Sequence, residues 1–152
     1  MNVELSRAFD LIKWDRTQEE QEKGIKMANK IEIIEEFILP VYPMYNKNVW
    51  GNCAKILSNK TDAELTPYLD KILEWLQDLN WPGTYVIIER LSHFESSLLL
   101  KPYISAINKA KITDEQEWYK HLTVLIKNES LLKKLPTVLS EEIYKAYKDF
   151  WQ

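Results

Sequence analysis

The sequence predicts an all-α protein, built as a short α-α superhelix of antiparallel helix pairs. Three observations predict this fold class. Apolar residues recur at helical spacing along the chain, no segment alternates with the period of two that a half-buried strand needs, and only three of the 152 residues are glycine. The hydrophobic fraction of 45% is enough for a packed core, and the length suits one helical-repeat domain over residues 1–152.

Four apolar faces predict the helices of the first sixty residues. The faces are Leu5-Ala8-Phe9-Ile12, Ile25-Ala28-Ile31, Ile33-Ile34-Phe37, and Val49-Trp50-Cys53-Ala54-Ile56-Leu57. The capping box Thr17-Gln18-Glu19-Glu20 marks the start of the second helix. Pro40 and Pro43 are expected to stop the third helix, and Asn48 is expected to begin the fourth.

Capping residues and prolines predict the remaining helix starts. Two further segments have the spacing of a capping box, Thr61-Asp62-Ala63-Glu64 and Thr113-Asp114-Glu115-Gln116. Thr66-Pro67 and Asn80-Trp81-Pro82 each place a turn residue before a proline, which favours the first turn of a helix. Ser140 is expected to open a terminal helix that ends near Trp151.

The helix starts recur at intervals of about one helix pair. Pro67, Pro102 and Pro136 lie 35 and 34 residues apart, and the segments beginning at Asn48 and Asn80 lie 32 residues apart. Repeats of this length, with two helices each, are typical of helical solenoids, in which each pair covers the apolar face of its neighbour.

Several classes of protein are disfavoured by composition. One cysteine, Cys53, rules out an intramolecular disulfide, and the N-terminus lacks the basic start and apolar run of a signal peptide. No apolar stretch approaches the ~20 residues that cross a bilayer. We therefore expect a cytoplasmic protein without a membrane partner.

The residues offer little catalytic chemistry, so we expect no enzyme activity, cofactor or metal. The chain contains none of the common nucleotide-binding, hydrolase or zinc motifs. Cys53 could pair with His93 or His121 as a nucleophile, but its apolar neighbours favour a buried structural role. The pairs Glu89/His93 and Glu117/His121 differ by one residue from the Glu-x-x-His spacing of carboxylate-bridged metal sites, and surface i, i+4 contacts are the simpler interpretation.

The net charge of −3 comes entirely from the first half of the chain. Residues 1–76 hold 10 basic and 13 acidic residues, whereas the second half holds 10 of each. An acidic face attracts a basic partner and disfavours nucleic acid. From the acidic pairs and the aromatic turn we select six candidate partner-binding residues: Glu19, Glu20, Glu35, Glu36, Asp78 and Trp81. Solvation of these residues is the alternative interpretation.

The six tryptophans are spread one per helix pair, and we expect most of them in the core. Trp75 and Trp81 flank one turn, so one of the two is expected to be buried and the other partly exposed.

The segment Glu74-Trp75-Leu76-Gln77-Asp78-Leu79-Asn80-Trp81-Pro82-Gly83 resembles the signature W-L-Q-D-x-N-W-P of a small, uncharacterised bacterial family of all-helical, HEAT-like proteins. Three other segments are similar to that family: one from Asn48 to Leu57, one from Leu99 to Ile104, and Glu117-Trp118-Tyr119-Lys120. The likeness covers roughly residues 46–127. Capping by Asp78 or Asn80 and a first-turn Pro82 would explain the motif structurally.

The resemblance implies a function by analogy, because some HEAT-like relatives are immunity proteins that neutralise polymorphic toxins. We therefore expect a non-enzymatic, protein-binding repeat protein whose partner is a basic toxin. Two alternatives stay open: a HEAT-like DNA-repair glycosylase or other nucleic-acid enzyme, and a regulatory or scaffold module with another partner. The sequence does not indicate the oligomeric state.

Overall fold

The computed structural model describes residues 2–40 and 46–152, and in these ranges it is helical without a β-strand, so the all-α prediction is confirmed. The α-helices are α1 (Val3–Leu11), α2 (Gln18–Asn29), α3 (Trp50–Ser58), α4 (Asp62–Leu65), α5 (Leu69–Leu73), α6 (Thr84–Ser92), α7 (Ser96–Ile112), α8 (Gln116–Leu122), α9 (Glu129–Lys134) and α10 (Thr137–Trp151). Short 3-10 segments adjoin them at Glu35–Phe37, Lys47–Val49, Thr66–Tyr68, Glu74–Gln77 and Thr123–Lys127.

The buried side chains form one continuous apolar cluster that runs from α1 to α10. Its largest fully buried members are Trp75, Tyr103 and Phe37. Helix α1 packs on α2, α3 packs on α6, and α7 packs on α5, α8 and α9. All four predicted residues of the first face, from Leu5 to Ile12, are buried as expected.

Two of the three predicted capping boxes are confirmed. In both boxes the threonine hydroxyl accepts the backbone N–H three residues on, and the glutamate accepts the threonine N–H, at Thr17/Glu20 and at Thr61/Glu64. The box predicted at Thr113 is wrong. The Thr113 hydroxyl donates backward to the Lys109 carbonyl at the end of α7, and α8 begins after Glu115 without a side-chain cap.

The proline-based helix starts are displaced from their predicted positions. Helix α6 begins at Thr84, after a left-handed Gly83 with φ of 89°, so Pro82 lies in the preceding turn and not in the helix. Neither Asp78 nor Asn80 caps α6. Thr66 continues a helical run and donates to the Asp62 carbonyl. Helix α10 starts at Thr137, so Ser140 lies inside its first turn.

The short third helix is only a 3-10 turn, Glu35–Phe37. Phe37 and Ile34 are buried as predicted, whereas Ile33 is 38% exposed. Pro43 lies outside the described residues. None of the helices in the described ranges has the length and apolarity that crossing a bilayer would require.

Buried side chains satisfy free carbonyls at the ends of helices that come earlier in the chain. The Lys60 ammonium donates to the carbonyls of Ala28 and Asn29, the last two residues of α2, and of Ile31, just beyond it. Asn128 donates to Leu91 and Phe94, at the end of α6. Each bond spans about one predicted repeat, and each supplies partners to carbonyls that a helix end cannot satisfy by itself.

Trp118 and His121 likewise satisfy carbonyls at the end of α5 and in the 3-10 segment that follows it. The Trp118 indole N–H donates to the Leu73 carbonyl over 3.1 Å, and His121 Nδ1 lies 2.6 Å from the Leu76 carbonyl. Since a carbonyl oxygen only accepts, Nδ1 of His121 carries the proton in this contact.

Four chain segments are joined to one another at one edge of the fold, which we call the turn edge: residues 12–17, 46–50, 78–83 and 113–117. The Trp14 N–H donates to the Asn48 carbonyl over 2.9 Å, which joins the first two segments. The rings of Trp50 and Trp81 pack edge to face with centroids 5.5 Å apart, which joins the second to the third. The third and fourth segments line one groove, described next.

Candidate functional site

The 78–83 turn is held by hydrogen bonds that a buried threonine donates and an aspartate accepts. The Thr84 hydroxyl lies 2.8 Å from the Asp78 carbonyl and 3.0 Å from the Trp81 carbonyl. A carboxylate oxygen of Asp78 accepts the Asn80 N–H over 2.8 Å, which tightens the turn. The partly buried Trp81 side chain is thereby held on a hydrogen-bonded turn.

Behind the turn lies a cluster of three indoles. Trp75 is fully buried, and its indole N–H donates to the Pro82 carbonyl over 3.0 Å. Trp50 contacts both Trp75 and Trp81 edge to face, with centroid distances of 6.1 and 5.5 Å. Trp81 is partly buried, so the prediction that only one of Trp75 and Trp81 would be in the core is confirmed. Most of the W-L-Q-D-x-N-W-P segment therefore builds the fold, and its outer residues face solvent.

The facing wall is the tight corner between α7 and α8. Asp114 adopts a left-handed backbone conformation with φ of 56°, and the Glu115 N–H donates to the Ala110 carbonyl over 2.8 Å. This hydrogen bond ends α7, and the chain then turns so that the next residues face the 78–83 turn. Trp118 anchors the corner to α5 through the Leu73 carbonyl.

Between these walls runs a groove with a volume of about 550 Å³, which we call the acidic groove. Its lining residues are Gln77, Asp78, Trp81, Asp114, Glu115, Gln116, Glu117 and Trp118. Four of them are carboxylates, and no cationic side chain of the described residues is among them. Glu117 is also paired with Lys120 over 3.3 Å at the rim. A wall of carboxylates beside a partly exposed indole suits a cationic side chain such as lysine or arginine, which pairs with carboxylates and is attracted to the face of an aromatic ring.

Two of the six candidate partner-binding residues, Asp78 and Trp81, lie in the acidic groove, and the four glutamates do not line it. Glu19 is exposed on α2. Hydrogen bonds from Thr17 lower the pKa of Glu20, which also pairs with Arg16 over 3.1 Å. Glu35 forms an ion pair with Lys71.

Glu36 is only partly exposed, and its Oε2 atom is buried. Glu20 and Glu35 are therefore held in ion pairs, Glu36 is partly buried, and Glu19 is exposed.

The possible nucleophile and metal ligands do not form a reactive site. Cys53 is buried, and burial raises the pKa of its thiol, the opposite of what a nucleophilic cysteine needs. His93 is exposed and lies 3.6 Å from Glu89, while the buried His121 is 3.9 Å from Glu117. Across residues 2–40 and 46–152, no group of three or more His, Cys, Asp or Glu side chains could hold a metal ion.

Sequence reasoning missed three groove carboxylates, those of Asp114, Glu115 and Glu117. The interpretation of residues 113–116 as a capping box assigned Asp114 and Glu115 to a helix start, and Glu117 was interpreted as the i, i+4 partner of His121. The available signal was the run of four polar residues from Asp114 to Glu117 between two apolar helices. Nothing local indicates, however, that this run faces a turn almost forty residues earlier in the chain.

Comparison with known protein families identifies the family of the chain. Residues 51–148 match a family described as "Domain of unknown function (DUF5071)". The chain belongs to this family. The matched range contains both walls of the acidic groove, whereas Glu19, Glu20, Glu35 and Glu36 precede it. No curated protein and no solved structure matches the chain.

Proposed function

We propose that this DUF5071 protein is a non-enzymatic binding protein that holds a basic segment of another protein in its acidic groove. The observation that carries the proposal is the groove itself, where four carboxylates and the indole of Trp81 line one surface cavity. Charge complementarity of this kind speeds association and selects against acidic partners. An aromatic side chain held in a rigid turn adds contact area at little cost in conformational entropy.

The architecture that we propose for this role is a short HEAT-like superhelix. The support is the set of long-range side-chain bonds to helix-end carbonyls. Lys60 reaches Ile31 across 29 residues, Asn128 reaches Phe94 across 34, and Trp118 reaches Leu73 across 45. Stacked helix pairs that contact only their neighbours would produce contacts at such separations, and they present an extended edge to a partner.

The biological role that we propose is that of an immunity protein, which neutralises a toxin by binding a basic surface of it. The groove charge suits a toxin that acts on nucleic acid, because such proteins carry basic surfaces. The same charge opposes the alternative of a DNA-repair glycosylase, since four carboxylates would repel a phosphate backbone. Retardation of DNA by the purified protein at low salt would favour that alternative.

The test is co-purification with the protein encoded by the adjacent gene. The tagged chain should capture that protein at low salt, and capture should weaken as salt is raised, because exposed charges are screened. The double variant E115K/E117K should raise the Kd at least ten-fold. A matched control, E141K, reverses an exposed charge on α10, away from the groove, and should bind as the wild type does.

The immunity role has a separate readout in cells. Cells that express the adjacent gene product should die without this chain and survive with it, and the E115K/E117K variant should protect poorly. Survival without the chain would contradict the immunity role, even where the two proteins bind each other.

A further inference from the structure

The turn between α1 and α2, residues 12–17, presents the most exposed tryptophan of the described residues. The side chain of Trp14 is 62% exposed, whereas Trp50, Trp75 and Trp118 are buried. The exposed indole leaves apolar area that a binding partner can remove from water. An exposed Trp on an ordered turn is typical of the hot spots through which proteins bind one another.

The backbone on both sides of Trp14 is held by hydrogen bonds. The Trp14 N–H donates to the Asn48 carbonyl over 2.9 Å. The Gln21 side-chain amide lies 3.2 Å from the Trp14 carbonyl and 2.7 Å from the Arg16 carbonyl. The turn is therefore fixed before any partner arrives, which reduces the entropy lost on binding.

A buried amide from α3 supports this arrangement. Asn52 is 7% exposed, and its Nδ2 donates to the Ile12 carbonyl over 2.7 Å and to Oε1 of Gln21 over 2.9 Å. Asn52 thus orients Gln21, whose amide nitrogen then faces the turn. A buried amide needs hydrogen-bond partners. The two partners of the Asn52 amide nitrogen belong to the 12–17 turn and to Gln21, which holds that turn.

The charges around Trp14 indicate the chemistry of the partner. Lys13 and Arg16 both form ion pairs with Asp10, over 3.1 and 2.6 Å, and Arg16 also pairs with Glu20 over 3.1 Å, so two carboxylates offset these two cations. Asp15 and Glu19 are exposed and take part in none of the ion pairs found within residues 2–40 and 46–152. The exposed carboxylates of Asp15 and Glu19 outnumber the exposed cation of the adjoining 46–50 segment, Lys47, whose ammonium lies 5.6 Å from the Trp50 ring centroid. The surroundings of the indole therefore favour a basic surface over phosphates or an anionic membrane.

We propose that Trp14 is a second anchor for the partner inferred above, and that its indole inserts into an apolar pocket bordered by lysine or arginine. This inference rests on the proposed function. The 12–17 turn and the acidic groove belong to the same turn edge, through the contacts of Trp14 with Asn48 and of Trp50 with Trp81. One basic protein surface can therefore contact both.

The test compares binding of the adjacent gene product by the wild type and by W14A. Because the side chain is exposed, W14A should keep the urea midpoint of the wild type while its Kd rises at least ten-fold. The control is Y144A, which removes an aromatic side chain of 46% exposure from α10 and should bind normally. Equal binding by W14A and the wild type would overturn the Trp14 anchor alone. Failure of the wild type to bind would overturn both proposals.

A second measurement tests the fixed turn without any partner. The Trp14 amide hydrogen should exchange slowly in the wild type and at least ten-fold faster in Q21A, while amides of α7 are unchanged. Exchange of the Trp14 amide at the rate of an unstructured peptide in the wild type would contradict the inference.

Discussion

The ammonium group of Lys60 lies 2.7 Å from the carbonyl oxygen of Ile31, inside a domain that leaves only 5% of this lysine exposed. The same group lies 3.4 and 3.3 Å from the carbonyls of Ala28 and Asn29. Burial lowers the pKa of Lys60 relative to a free lysine, and Glu64 and Glu32 oppose that shift. A cation at the end of α2 also interacts favourably with the helix dipole.

Replacing Lys60 by methionine should lower the free energy of unfolding by about 2–3 kcal/mol, because three carbonyls lose a charged donor. Urea denaturation at pH 7 measures the change. The control K55M alters an exposed lysine on α3 and should change stability by less than about 0.5 kcal/mol. Equal effects of the two substitutions would show that the carbonyl contacts of Lys60 do not stabilise the fold.

Gly83 should not tolerate a side chain. Its φ is +89°, and an added Cβ would lie 2.6 Å from the Ala54 Cβ and 3.1 Å from the Trp50 carbonyl oxygen. We expect G83A to cost about 2–4 kcal/mol through backbone strain and overpacking. In contrast, a Cβ at Gly51 of α3 meets nothing within 4 Å, so G51A should stabilise by about 0.5 kcal/mol. Thermal unfolding distinguishes the two, and a neutral G83A would contradict the packing described here.

Asn128 combines two roles that one substitution can separate. Its Oδ1 accepts the Leu131 N–H at the start of α9, and its Nδ2 donates to the carbonyls of Leu91 and Phe94. In N128D the cap remains, but a buried carboxylate then faces two carbonyls. We expect a loss of about 2–3 kcal/mol at pH 7. The loss should shrink at acidic pH, where the carboxyl is protonated and can donate.

The measurement for N128D is urea unfolding at pH 7 and pH 4, with N108D on the exposed side of α7 as the control. An N128D variant as stable as N108D would show that the donor contacts contribute nothing.

Tyr103 should make the protein less stable in alkali. It is fully buried, its hydroxyl donates to the Leu122 carbonyl over 2.9 Å, and desolvation raises its pKa well above the usual 10. Above pH 10 the unfolded chain loses this proton while the folded chain keeps it. Stability therefore falls with rising pH, by about 1.4 kcal/mol per unit.

The variant Y103F lacks this dependence. At pH 8 it should be less stable than the wild type by about 1 kcal/mol, because the hydrogen bond is lost. At pH 11 the difference should be smaller by about 1.4 kcal/mol. Y85F, which alters a tyrosine of 59% exposure, should track the wild type at both pH values. A constant difference between Y103F and the wild type would argue against a buried, neutral Tyr103.

Local patterns predicted the helices well, because their determinants lie within three or four residues. The Thr17/Glu20 and Thr61/Glu64 boxes formed as expected, since each is closed by bonds between residues three apart. The same pattern failed at Thr113, where the chain turns through a left-handed Asp114 that ends α7. The end of α7 and the start of α8 share these few residues, and the packing of the two helices determines their conformation.

The sequence by itself determined the helical class, most of the apolar faces and the location of the excess acidic charge, whereas three of the six tryptophans, Trp50, Trp75 and Trp118, are buried. The tertiary structure alone decided that Asp78 and Trp81 share a groove with Asp114, Glu115 and Glu117, and that Trp14 stands exposed on a fixed turn. The physical reason is the separation along the chain of the residues that interact. Helix formation and capping depend on neighbours along the chain, whereas the acidic groove and the 12–17 turn depend on how distant helices pack against one another.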